Sequence, residues 1–270
     1  MLAKSISFNG LLLILLLQTA IIPAAWGQLP QLSPEQMDWL GDRIFANECN
    51  RDFSCLTSWN EGEDFPSLGI GHFIWYSSQQ NERFEETFPN LLIFYKKHGY
   101  ELPNWLEILK SPDSPWQNKE QFLADLDSQR MQQLRNFLGS TLELQVLFIV
   151  ERLHNSKTDL FRSLEPSQQS SLESSFYQVA NSQTPYGMYA LIDYVHFKGT
   201  GIAPNERYQG EGWGLLQVLL ELQGSAANLD NFVAAATRVL ERRVSNAPTQ
   251  RAEQRWIAGW TNRLGTYLPN

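Results

Sequence analysis

The chain has 270 residues, 43% of them hydrophobic and 19% charged, a balance ordinary for a globular protein and too apolar for disorder. Its formal net charge is −8, with 21 Lys and Arg against 29 Asp and Glu. That excess of acid speaks against a nucleic-acid partner, because phosphate binding relies on clustered Lys and Arg, and it runs mildly against an anionic polymer too.

The first residues carry a single cation, Lys4, followed by the apolar run Leu11 to Leu17 with Ala20, Ile21 and Ile22 behind it. Pro23-Ala24-Ala25-Trp26-Gly27-Gln28 comes next. A short apolar core followed by small residues at the third and first positions before a break (Ala25 and Gly27) predicts a secretory signal peptide over residues 1–27. The alternative is a membrane anchor, but spanning a bilayer takes about 20 apolar residues. Gln18, Thr19 and Pro23 leave this run short, and no Cys follows closely enough for lipoprotein attachment. The expectation is a protein exported to the periplasm or beyond, with no stable membrane insertion after cleavage and a mature chain that starts at Gln28.

In the mature chain, Ser33-Pro34-Glu35-Gln36 predicts a helix start, with Ser33 as cap, Pro34 in the first turn and Gln36 completing a capping box. Met37, Leu40, Ile44 and Glu48 then share one face, within a sector of roughly 80°. The helix is expected to end near Asn50. Cys49 and Cys55, the two cysteines of the chain, read as a small-loop disulfide in an exported protein. Two cysteines with no nearby pair of His at ligand spacing are too few for structural zinc, and no metal or other cofactor is expected.

The acidic stretch Trp59-Asn60-Glu61-Gly62-Glu63-Asp64 precedes Ser67 to Tyr76, which is rich in β-branched and aromatic residues and reads as a strand or short hairpin. Helical segments follow over 84–98, 102–109, 119–138, 142–154, 167–180, 186–197, 213–222, 228–244 and 249–267. The break Ser111-Pro112-Asp113-Ser114-Pro115 is expected to join two lobes, 28–110 and 116–270, of one domain. The fold class is α+β, predominantly α-helical, with a small β element inserted early.

Glu48 is the most informative side chain. It lies on the apolar face of its helix and near the negative end of the helix dipole, and both disfavour a charged carboxylate. A carboxylic acid held protonated near neutral pH is what cleavage of a glycosidic bond needs in order to protonate the leaving oxygen. Glycosidases commonly place a second carboxylate across the cleft, and Glu61, Glu63 and Asp64 supply candidates. Further along, Lys198-Gly199-Thr200-Gly201 and the stretch from Asn205 to Gly214 bring Tyr208, Glu211 and Trp213 together with glycines before a helix. Aromatic faces stack on sugar rings and polar groups bond hydroxyls, so Asn205, Tyr208, Glu211 and Trp213, with Trp59, are candidate substrate contacts. An ordinary inter-helix loop explains that stretch equally well.

Glu48, followed by Glu61 and then Ser67-Leu68-Gly69-Ile70-Gly71-His72, resembles the active-site segment of phage-type lysozymes and endolysins. The resemblance covers about 25 residues closely, with a weaker echo in Asn246-Ala247-Pro248-Thr249-Gln250-Arg251-Ala252-Glu253-Gln254-Arg255. It implies a lysozyme-like fold with a β-hairpin after the first mature helix and a larger helical lobe. It also implies Glu48 as general acid, Glu61 as the residue that activates water, Ser67 as a polar helper and His72 as a structural residue. Glu and Ser stand where that family has Asp and Thr, and the stretch from Glu48 to Glu61 is longer than the family's. The implied activity is cleavage of peptidoglycan or a related amino-sugar polymer. A lytic transglycosylase using Glu48 alone, or an envelope protein that binds glycan without cutting it, are the alternatives.

Overall fold

A computed structural model describes residues 28–78, 84–162, 164–204 and 207–269. The signal-peptide reading of residues 1–27 and the candidate contact Asn205 lie outside the described residues.

The first helix, α1 (Pro34–Cys49), starts as its sequence dictates. Ser33 Oγ accepts from the Gln36 N–H and Gln36 Oε1 accepts from the Ser33 N–H, which satisfies two otherwise orphaned donors. It ends at Asn50, whose backbone is left-handed with φ 48°. Leu40, Ile44, Phe45 and Cys49 are buried along its inner face. A single turn of 3₁₀ helix (Phe53–Leu56) then leads into a three-stranded antiparallel sheet in the order β1 (Thr57–Ser58), β2 (Ser67–Leu68), β3 (Phe73–Ile74). Ser67 pairs with Ser58 on one side and Ile74 on the other. The segment Ser67–Tyr76, expected to be a strand or a short hairpin, is a hairpin turning through Gly69–His72, and β1 is an addition that the sequence did not announce.

The helices that follow are α2 (Phe88–Lys97), α3 (Asn104–Glu107), α4 (Lys119–Asp125), α5 (Gln129–Gly139), α6 (Leu142–Phe161), α7 (Pro166–Asn181) and α8 (Tyr186–Lys198). A two-stranded hairpin, β4 (Arg207–Tyr208) and β5 (Glu211–Gly212), precedes α9 (Leu215–Glu221), α10 (Leu229–Asn246) and α11 (Ile257–Gly265). The fold is thus mixed α+β and mostly helical, with small antiparallel hairpins beside a helical lobe. No helix among the described residues is long and apolar enough to cross a membrane.

The helices expected over 84–98 and 102–109 are shorter, Phe88–Lys97 and Asn104–Glu107, and three further boundaries differ more. The helix expected over 119–138 divides because Ser128 caps a new start, its Oγ accepting from the Met131 N–H. The helix expected over 249–267 shortens to α11, because Ala252 takes a left-handed backbone (φ 46°) between two 3₁₀ turns. In the other direction, α6 runs about two turns past His154, burying Leu160 and Phe161.

Packing explains how the hairpin is held over the helices. Helix α1 lies along α6 and also touches α8. From α6, the fully buried Gln145 reaches into the hairpin turn, where its Oε1 accepts from the Ile70 N–H at 2.9 Å. Its Nε2 donates to the carbonyl of Leu138 at 2.7 Å. Gly69 leaves room for this arrangement: its φ is +68°, and a Cβ there would stand 2.3 Å from Gln145 Oε1. Replacing Gln145 by Met keeps the volume but strands the buried Ile70 N–H, while the Leu138 carbonyl keeps the Thr141 N–H at 3.3 Å. The expected cost is about 1–3 kcal/mol, read as a lower urea midpoint with an unchanged slope. An unchanged midpoint would show that the hairpin does not depend on this link.

Candidate active site

Glu48 sits in the last turn of α1 with its side chain 17% exposed. Its Oε1 accepts from Arg263 Nη2, on α11, at 2.6 Å. The same guanidinium grips Asp193 of α8 through two bonds, Nε to Oδ2 and Nη2 to Oδ1, each 2.8 Å long. Asp193 is 1% exposed in its side chain, so it is a buried charge that needs several donors. It also accepts from the Tyr267 hydroxyl at 2.6 Å and from Asn47 Nδ2 at 2.8 Å. Asn47 Nδ2 further donates to the Tyr189 hydroxyl at 2.6 Å. Residues on α1, α8, α11 and the segment behind α11 therefore close one polar network behind Glu48. Burial alone would pull Arg263 down, but hydrogen bonding and the charges of Asp193 and Glu48 outweigh it and hold the guanidinium well above its ordinary value. Arg263 is a fixed cation.

The disulfide closes directly behind Glu48. Cys49 and Cys55 are bonded, and Cys55 Sγ lies 3.5 Å from the Glu48 carbonyl oxygen and 3.9 Å from His72 Nε2. His72, at the tip of the hairpin turn, has φ 46°, an uncommon backbone for a residue other than glycine. Ligand atoms of Cys49, Cys55 and His72 lie within 4.8 Å of one another. Both sulfurs are committed to the disulfide, which leaves the imidazole as the one free ligand of the three.

Of the acids ahead of the hairpin, Glu63 is the one that meets Ser67: its Oε2 accepts from Ser67 Oγ at 3.3 Å and from Asn60 Nδ2 at 3.0 Å. Ser67 is buried on the central strand, while Glu61 is exposed in the turn beside Gly62. Trp59 is buried against Phe122, and its Nε1 donates to the Glu63 carbonyl at 2.7 Å. Its ring shapes the acidic turn.

The remaining candidate contacts form a second cluster. Tyr208 and Trp213 pack with ring centroids 4.7 Å apart, and the guanidinium of Arg243 covers Trp213 at 4.0 Å. The Tyr208 hydroxyl donates to Glu253 Oε1 at 2.7 Å, while exposed Glu211 lies 3.8 Å from Arg242. Gly201 and Gly214 press against each other, a Cβ on Gly214 falling 2.1 Å from the Gly201 nitrogen, so these glycines serve backbone packing. Arg251, from the late segment, turns to buried Glu253 at 3.6 Å.

Sequence reasoning missed Arg263, Asp193 and Asn47. Asp193 carried a usable signal, as the sole acid in the otherwise apolar run Tyr186–Phe197: a lone acid there is buried and must find a cation. It also missed the wall formed by α6. His196, half-buried at the end of α8, is within electrostatic reach of Glu48, Asp193, His72 and Arg152. Burial outweighs the pull of the two acids and holds its imidazole below the ordinary range. Arg152 in turn lines a cavity of about 470 Å³ with Glu85, Asn90, Phe148, Asn155 and Asp159. No protein-family model, no curated protein and no solved structure matches this chain.

Proposed function

We propose that this chain is an exported glycan-cleaving enzyme of lysozyme-like mechanism, acting on peptidoglycan or a related amino-sugar polymer with Glu48 as general acid. The observation that carries this reading is the arrangement of the Glu48 carboxyl group. Arg263, itself anchored on buried Asp193, fixes Oε1, and among the described residues no hydrogen bond reaches Oε2. One oxygen is thereby oriented and the other is left to carry a proton to the oxygen of the bond being broken. The leaving oxygen takes that proton as the sugar–oxygen bond breaks, and water adds to the sugar carbon.

For the water-activating role we assign Glu63, the acid bonded to Ser67, in place of Glu61. The polar cavity beside Arg152, with Asn90, Asn155 and three acids (Glu85, Glu151 and Asp159) on its lining, suits the hydroxyl and amide groups of an amino-sugar chain. A lytic transglycosylase is the second reading. It is favoured by the fact that Glu48 is the acid fixed by a buried network, whereas a transglycosylase needs no second carboxylate.

Turnover of purified amino-sugar oligomers tests the assignment. The wild-type chain should cleave them, Glu61→Gln should leave the rate within a few fold, and Glu63→Gln should slow a hydrolase by ~10²-fold or more. Full activity in Glu63→Gln with anhydro product ends would move the reading to the transglycosylase. Failure to cleave any amino-sugar polymer would sink both.

A further inference from the structure

Lys198, the last residue of α8, is a largely buried lysine whose ammonium has no acid bonded to it among the described residues. It is 8% exposed, and no salt bridge or hydrogen bond reaches its ammonium among the described residues. Instead Nζ lies 3.5 Å from the centre of the Trp260 ring and 3.9 Å from that of Phe197. Ring faces attract a cation but recover only part of the hydration lost on burial. The neighbouring charges make matters worse. Arg243, from α10, and Arg263, from α11, both oppose a positive Lys198, and the one acid that favours it, Glu253, already holds Arg243 through two bonds of 2.8 and 3.0 Å. Burial first and Arg243 next push the ammonium down to about 7.

This cation adjoins the candidate active site. The guanidinium of Arg263, which holds Glu48, lies 4.6 Å from the Phe197 ring, the same ring that backs Lys198. On the outer side Trp260 pairs with Trp256, whose centroid is 6.0 Å away and which is 38% exposed. A lysine ammonium without a bonded acid, an exposed indole and the Glu48 carboxyl group thus follow one another along one wall. Arg243 and Arg263 are engaged by Glu253, Asp193 and Glu48, whereas among the described residues no salt bridge reaches Lys198, and Arg255 lies over the Trp256 ring at 4.7 Å.

Resting on the glycan-cleaving reading above, we infer that Lys198 and the Trp256–Trp260 pair form a subsite for a carboxylate carried by the glycan polymer, one sugar placed on the indole and its acid turned toward Lys198. The carboxylate would supply the partner that the protein withholds, and Lys198 would select acidic glycan over neutral.

Binding to the catalytically silenced Glu48→Gln chain tests this by calorimetry. The probes are peptide-free peptidoglycan oligosaccharides with free lactyl carboxylates, the same oligosaccharides with those carboxylates amidated, and peptide-bearing fragments. The free acid should bind roughly tenfold tighter than the amide, the scale of one charge-assisted hydrogen bond. Adding Lys198→Met, which keeps an apolar stem between the rings, should erase that preference while amide binding persists, which also shows that the variant is folded. A tenfold preference seen only with peptide-bearing fragments would place the carboxylate on the peptide and not on the sugar. An acid preference that survives Lys198→Met, or equal binding of acid and amide, overturns the subsite and leaves the glycan reading standing. Failure of every probe to bind would remove the glycan reading, and the subsite with it.

Discussion

Glu48→Gln is expected to slow glycan cleavage by ~10²–10⁴-fold, the worth of a positioned general acid, while glycan affinity and fold stay close to wild type. The amide oxygen can still accept from Arg263 as Glu48 Oε1 does, so the network behind it need not rearrange. What is lost is a proton at the other position, because an amide cannot deliver one to the leaving oxygen. Initial rates on a soluble amino-sugar oligomer, with binding measured separately, check this. Wild-type turnover in Glu48→Gln would remove Glu48 from the chemistry, whatever the fold resembles.

Arg263→Met is expected to destabilise the protein by about 3–5 kcal/mol, because breaking a buried pair from one side leaves the other charge uncompensated. The stranded charge is Asp193, 1% exposed in its side chain and left with only Tyr267 and Asn47 as donors. Urea unfolding should show the loss. The double variant Arg263→Met with Asp193→Asn should recover part of it, since the unpaired charge is then gone. Arg263→Lys should not restore the wild-type state, because one ammonium cannot reproduce the forked grip on Asp193 and Glu48. A loss below 1 kcal/mol in Arg263→Met would mean that Asp193 is satisfied without its cation. Glu48 would then owe its placement to the helix alone.

What the sequence made legible was local. The Ser33 cap, the end of α1 at Asn50 and the Cys49–Cys55 bridge each depend on residues within a few positions of one another, where steric and hydrogen-bonding rules act directly. The split between α4 and α5 was hidden because the apolar spacing runs on across Ser128, and only the cap shows the break. The support for Glu48 was illegible for a different reason: Arg263 is 215 residues away in sequence, and no periodicity links an acid to a cation at that separation. Between Glu61 and Glu63, spacing alone could not choose. The turn at Gly62 and the bond from the Trp59 indole to the Glu63 carbonyl direct Glu63 to Ser67. The clustering of Trp256, Trp260, Phe197 and Lys198 is likewise tertiary, built from the ends of α8 and α11.

The central claim is that this site cuts a glycan chain, and mass analysis of peptidoglycan incubated with the purified protein tests it most directly. The expected result is soluble fragments with new sugar ends, reducing ends for a hydrolase or anhydro ends for a transglycosylase, and none from a parallel incubation with Glu48→Gln. Peptidoglycan recovered intact from the wild-type incubation, or the same fragments from both proteins, would contradict it.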